Sequence, residues 1–163
     1  MEDVHLIKVG GCIVVDSRDK GTRGETIVRD LLRKLTGLQW ERVPMSGALD
    51  PVHGMKADLY VPNCLNLFCV EVKNYKDDHL TSKLLTGKTP QLIDWWIQTI
   101  RESEQVKKKP LLIFKFDRSK IFVAFKEMPN SSELDFIFIN LGGFEIYVSL
   151  LENYIKYEQP RFV

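Results

Sequence analysis

Cysteine is scarce, and what there is forms no pattern. Cys12, Cys64 and Cys69 make neither a CxxC pair nor an even disulfide set in a chain of 163 residues. Reduced thiols in an intracellular protein are therefore expected, not a disulfide framework or a structural zinc site. Histidine is equally sparse: His5, His53 and His79 are scattered, without the companions that a zinc centre or a catalytic triad requires. Nowhere does the sequence approach the roughly 18 consecutive apolar residues of a membrane-spanning helix, so no membrane partner is expected. Glu2, Asp3, His5 and Lys8 interrupt the first apolar residues, which argues against a secretory leader. No repeat, low-complexity tract or linker divides the chain. The expectation is one domain over residues 1–163, with 1–16 as an N-terminal arm or extra strand.

What remains is an ordinary globular composition, 44% hydrophobic and 28% charged. The net charge of +1 is uninformative as a total, but the basic residues cluster. Arg18, Lys20, Arg23, Arg29, Arg33 and Lys34 crowd one segment, and Lys107, Lys108 and Lys109 form a second. A neutral protein can present such a face to phosphates; the alternative is a solvated helix face. Asp16–Gly24 reads as a loop. Ile27, Leu31, Leu32 and Leu35 then predict a helix over Thr22–Leu35, with Thr22 and Glu25 as a capping box and Gly37 as the stop. A short strand is expected at Trp40–Val43, then a loop from Pro44 to Lys56. Strands at Ala57–Val61 and Leu67–Lys73 form a hairpin. Tyr75–Lys88 reads as an irregular excursion. Thr89 and Pro90 open a second helix that runs to about Lys108, ended by Pro110. Strands at Leu111–Phe116, Lys120–Lys126, Phe136–Ile139 and Glu145–Val148 follow, then a helix at Leu150–Tyr157. The order implies a mixed α/β sheet flanked by helices.

The chemistry resides in the hairpin. Side chains alternate along a strand, so Glu71 and Lys73 share one face while Val70 and Val72 share the other. A short turn sets Asp58 opposite or diagonal to Glu71, within reach of one metal ion. Two hard carboxylates suit Mg²⁺, with Mn²⁺ as a substitute, and the lysine can orient water or polarise a phosphate. An E-x-K triplet can also be a solvent-facing ion pair. Here, however, Val70 and Val72 are apolar and Leu67 and Phe68 precede them, so the strand reads as interior, where an unpaired carboxylate is costly without a metal or partner.

Four short motifs occur in order: Gly21-Thr-Arg23-Gly24-Glu25, Arg42-Val-Pro-Met-Ser46-Gly47, Lys56-Ala-Asp58-Leu and Val70-Glu71-Val72-Lys73-Asn74, with an apolar helix after the first. Over residues 20 to 76 this set resembles the archaeal-type Holliday junction resolvases of the PD-(D/E)XK nuclease superfamily. The resemblance implies a restriction-endonuclease-like fold and a magnesium-dependent endonuclease acting on branched DNA as a homodimer. It makes Asp58 and Glu71 metal ligands, Glu25 an additional acid at the metal, Lys73 the catalytic lysine and Ser46 the loop serine that approaches the DNA backbone or the active site, all five counted as catalytic. DNA contacts are expected from Arg18, Lys20, Arg23, Arg29, Lys34 and Lys76. A nuclease of homing, restriction or repair type on duplex or flap DNA is the alternative, and a DNA-binding domain without activity a further one. Glu25 could instead serve only its helix cap. Gln98 stands on the second helix, where related nucleases often have a glutamine near the site, but reads first as a solvated helix glutamine; Trp95 and Trp96 read as core residues, and Tyr154, Tyr157 and Phe162 as exposed aromatics at a dimer contact.

Overall fold

The computed structural model describes residues 7–9, 12–14, 17–44, 56–88 and 90–163. Its elements in chain order are β1 (Ile7–Val9), β2 (Cys12–Val14), α1 (Ser17–Thr36), β3 (Glu41–Arg42), β4 (Leu59–Tyr60), β5 (Phe68–Tyr75), α2 (Lys83–Thr86), α3 (Gln91–Gln105), β6 (Lys109–Phe116), β7 (Ile121–Phe125), β8 (Ile137–Leu141), β9 (Phe144–Leu150) and α4 (Leu151–Glu158). β1 and β2 pair antiparallel with each other. The other seven strands build one mixed sheet in the order β3-β4-β5-β6-β7-β9-β8. Among the described strands only β5 and β6 run parallel, and parallel neighbours need a crossover, which α3 supplies. This is a mixed α/β sheet flanked by helices, the arrangement that the element order implies. Among the described residues, no helix is long and apolar enough to cross a membrane.

Strand alternation sorts the sheet into two cores. Leu111 and Ile113 of β6 pack with Val28 and Leu32 of α1 and with Leu151 and Ile155 of α4. Leu112, Phe114 and Phe116 turn the other way, onto Leu92, Trp95 and Trp96 of α3. Each such side chain removed from water contributes roughly 1.5–3 kcal/mol. On β5, Val70 and Val72 belong to the α1 side, so Glu71 and Lys73 face the side that α3 covers.

Several expected boundaries move. α1 begins at Ser17, so the segment read as a loop is helical and Thr22 is an interior residue, not a cap. The Thr22 carbonyl accepts the Thr26 hydroxyl at 3.0 Å, and the capping box is lost. Gly24 misled the reading: it stands where α1 meets β5, and an added Cβ would lie 2.4 Å from the Asn74 Cβ. α3 stops at Gln105, and Pro110 sits inside β6 opposite Cys69 instead of merely ending the helix. The Tyr75–Lys88 stretch contributes Tyr75 to β5 and the short helix α2. At the β8–β9 turn, Gly142 and Gly143 have φ of 57° and 82°, the left-handed pair of a tight hairpin. The C-terminal aromatics are not exposed. Tyr154 and Phe162 are buried, Phe162 against Trp40 with ring centroids 5.1 Å apart, and Tyr157 packs half-buried on the same core.

Candidate active site

The hairpin register pairs Leu59 with Val70, so Asp58 stands across from Glu71 one step along. Backbone bonds pin this point from both sides. The Val43 N–H donates to the Asp58 carbonyl and the Asp58 N–H to the Val70 carbonyl, each at 2.9 Å. Ala57, just before it, is buried with φ of 86°, a conformation that non-glycine residues hold only where the surroundings impose it. The Asp58 side chain then folds over β5, its Oδ2 accepting the Val72 N–H at 2.7 Å. Asp58 is 9% exposed and Glu71 only 4%.

Lys73 and Gln98 complete the contact around Glu71. The Lys73 ammonium lies 2.9 Å from Glu71 Oε1 and donates to Gln98 Oε1 at 3.0 Å. Gln98 Nε2 donates to Glu71 Oε1 at 3.0 Å and to Glu102 Oε1 at 3.1 Å. Gln98 is therefore no solvated glutamine. Periodicity placed it on the polar side of α3 but carried no information about which strand that side meets. Trp95 and Trp96 are core residues, as expected.

Two carboxylates so placed resist ionisation. Burial, and after it the Asp58 charge, pushes the Glu71 carboxyl up to about 8, although Lys73 opposes the shift. Asp58 is pushed up to about 6, first by burial, with the Val72 hydrogen bond opposing and the Glu25 charge adding to it. For Lys73, burial penalises the ammonium, but the facing Glu71 and Asp58 more than offset this and raise its pKa above the usual value. At neutral pH the pair holds about one proton between its members and titrates as a unit.

A cleft of about 450 Å³ opens over this pair, lined by Lys20, Gly21, Glu25, Asp58, Glu71, Lys73, Tyr75 and Lys76, among others. Glu25 thus reaches the cleft, but its Oε2 is 2.7 Å from Arg42 Nε, an ion pair that the sequence reading did not foresee. Of the basic residues expected at DNA, Lys20 and Lys76 line the cleft, and Lys20 also meets Asp117 at 3.1 Å. Arg29 pairs with Asp30 at 2.8 Å, while Arg23 and Lys34 are exposed on α1. Arg18 belongs to α1, and its side chain is outside the described residues, as is all of Ser46. Cys64 and Cys69 are free thiols, and burial pushes Cys69 up to about 12.

Among the described residues, no three His, Cys, Asp or Glu side chains converge on a ready-made metal cage. Two buried carboxylates that repel each other nevertheless fit a divalent cation with hard-oxygen preference. Mg²⁺ commonly takes one or two carboxylates and keeps its remaining positions for water and phosphate. Among the described residues that line this cleft there is no zinc-type donor set of thiolates and imidazoles.

Comparison with known proteins adds a family to this geometry. The chain is 42% identical over 152 residues to Protein D14 of Escherichia phage T5, covering 89% of this chain and 95% of the relative. A Holliday junction resolvase, Hjc of Archaeoglobus fulgidus, matches in structure with a TM-score of 0.43 and 18% identity, over 84% of this chain and 93% of that one. Residues 16–154, which include Glu25, Asp58, Glu71 and Lys73, match the family described as "Phage putative PDDEXK endonuclease". The chain belongs to that family of phage PDDEXK endonucleases.

Proposed function

We propose that this protein is a Mg²⁺-dependent DNA endonuclease that cuts at four-way junctions, with Asp58, Glu71 and Lys73 as its cleavage site. The observation that carries the reading is the facing pair Asp58 and Glu71, buried and short of compensating charge, with Lys73 held beside Glu71 at 2.9 Å. Asp58 and Glu71 would hold the cation, and Mn²⁺ would serve in place of Mg²⁺. When bound, the cation supplies Lewis-acid stabilisation of the phosphate and a more acidic water. The chain's own part is placement. β4 and β5 fix the two carboxylates, and the Lys73 ammonium brings a permanently positive group to the charge that develops on phosphate. Glu25, on the same cleft, is the further acid of the site, and Lys20 and Lys76 attract the DNA backbone.

The junction preference rests on the motifs Arg23-Gly24-Glu25 and Ser46-Gly47, and the resemblance they carry, in a chain with no recognisable helix-turn-helix, zinc finger or basic zipper. Recognition then depends on DNA shape and backbone. A homodimer would set two sites about a two-fold axis and nick two strands symmetrically, inside the cell where the DNA lies. The test is competition: labelled junction, with excess linear duplex of the same sequence, in Mg²⁺. Paired nicks near the branch that survive the competitor support resolution. Equal cleavage of duplex, or cutting at one base sequence, would favour a homing or restriction role, and preference for a flap a repair role.

A further inference from the structure

Gln98 and Glu102 stand one turn apart on α3, on the face directed at β5. A primary amide has two N–H groups and one carbonyl, and in Gln98 all three functions are engaged by ionisable side chains. One Nε2 bond runs to Glu71 at 3.0 Å, the other to Glu102 at 3.1 Å, and Oε1 accepts from Lys73 at 3.0 Å. Glu71 and Lys73 alone would leave the amide free to swing about the line that joins them. The third contact fixes its plane. Glu102 does this at an electrostatic cost, because its charge opposes ionisation of Asp58, Glu71 and Cys69. The geometry points to Glu102 as a positioning residue for cleavage: acting through Gln98, it holds Glu71 and Lys73 in their mutual arrangement. This deepens the nuclease reading and rests on it.

The role needs an acceptor oxygen, not a charge, so two variants separate it from a structural one. Glu102→Leu removes the acceptor, and kcat should fall about 10- to 100-fold with KM little changed, the usual scale for a residue that orients a ligand from behind. Glu102→Gln keeps an acceptor and should recover most of that loss. Thermal stability should hold or rise in both, whereas a structural residue would lower Tm and leave the kcat of the folded fraction intact. A second readout needs no turnover. In ¹H–¹⁵N NMR of the whole chain, the Gln98 side-chain amide, identified by its loss in Gln98→Ala, should show both protons displaced from free-glutamine positions. One of them should return there in Glu102→Leu. Wild-type kcat in Glu102→Leu, equal impairment in Glu102→Gln, or an unaltered Gln98 amide signal would each overturn the proposal. Absence of cleavage by the wild-type chain would instead overturn the nuclease reading, while the amide signals still report on the anchoring.

Discussion

A carboxylate that is 4% exposed has given up most of its hydration, and Glu71 meets the charge of Asp58 in exchange. The consequence is a stability that depends on pH in an identifiable direction. In the unfolded chain Asp58 and Glu71 titrate near 3.8 and 4.5, and in the fold near 6 and 8. Between those limits the native state binds more protons, so their contribution is full below about pH 4 and is lost as pH rises through the folded values. The metal-free protein should therefore lose stability between pH 5 and 8, and Glu71→Gln should flatten most of that loss. Thermal melts across the interval check both statements, and parallel wild-type and Glu71→Gln profiles would contradict them. Because a cation displaces the shared proton, Mg²⁺ should raise Tm more at pH 8 than at pH 6.

Within α1 two glycines make opposite demands. A Cβ on Gly21 meets nothing within 4 Å, so Gly21→Ala should stabilise by about 0.5–1 kcal/mol through helix propensity. A Cβ on Gly24 would meet the Asn74 Cβ at 2.4 Å, so Gly24→Ala should cost about 1–3 kcal/mol and push α1 away from the end of β5. Denaturant titration of the pair checks the contrast; equal effects would mean that α1 does not press on β5 there. The same helix shows how far the sequence could be read. Period-two alternation around Val70-Glu71-Val72-Lys73 was legible because a strand's faces follow from neighbouring residues alone, and so was the pairing of Asp58 with Glu71 across a short turn. The start of α1 was not, because Gly21 and Gly24 read as breakers until the Asn74 contact explains one of them. The contacts of Gln98 and Arg42 were not legible for the same physical reason. Their roles come from partners 27 and 17 residues away in the chain, a packing outcome that no local pattern encodes.

Across the whole molecule, phosphate attraction should be uneven. Lys20 and Lys76 border the cleft, whereas Lys34 lies nine residues beyond Glu25 on α1, about 13 Å along the helix axis. Reversing Lys76 or Lys20 to Glu should weaken DNA binding and reduce the log–log salt slope by about one unit each, and Lys34→Glu should do less. Equal losses at all three would mean that the DNA follows the length of α1 and not the cleft alone. The central claim is narrower: Asp58 and Glu71 perform metal-dependent cleavage and do not serve to hold the fold or the DNA. Its most direct test is cleavage and binding measured side by side for the wild type, Asp58→Asn and Glu71→Gln, in Mg²⁺, Mn²⁺ and EDTA. The wild type should cut in either metal and stop in chelator. Both variants should fold and bind DNA at least as tightly, while cleaving on the order of 10³-fold more slowly, the scale expected when groups that stabilise the transition state are removed. Undiminished cutting in EDTA, or by either folded variant, would contradict the account.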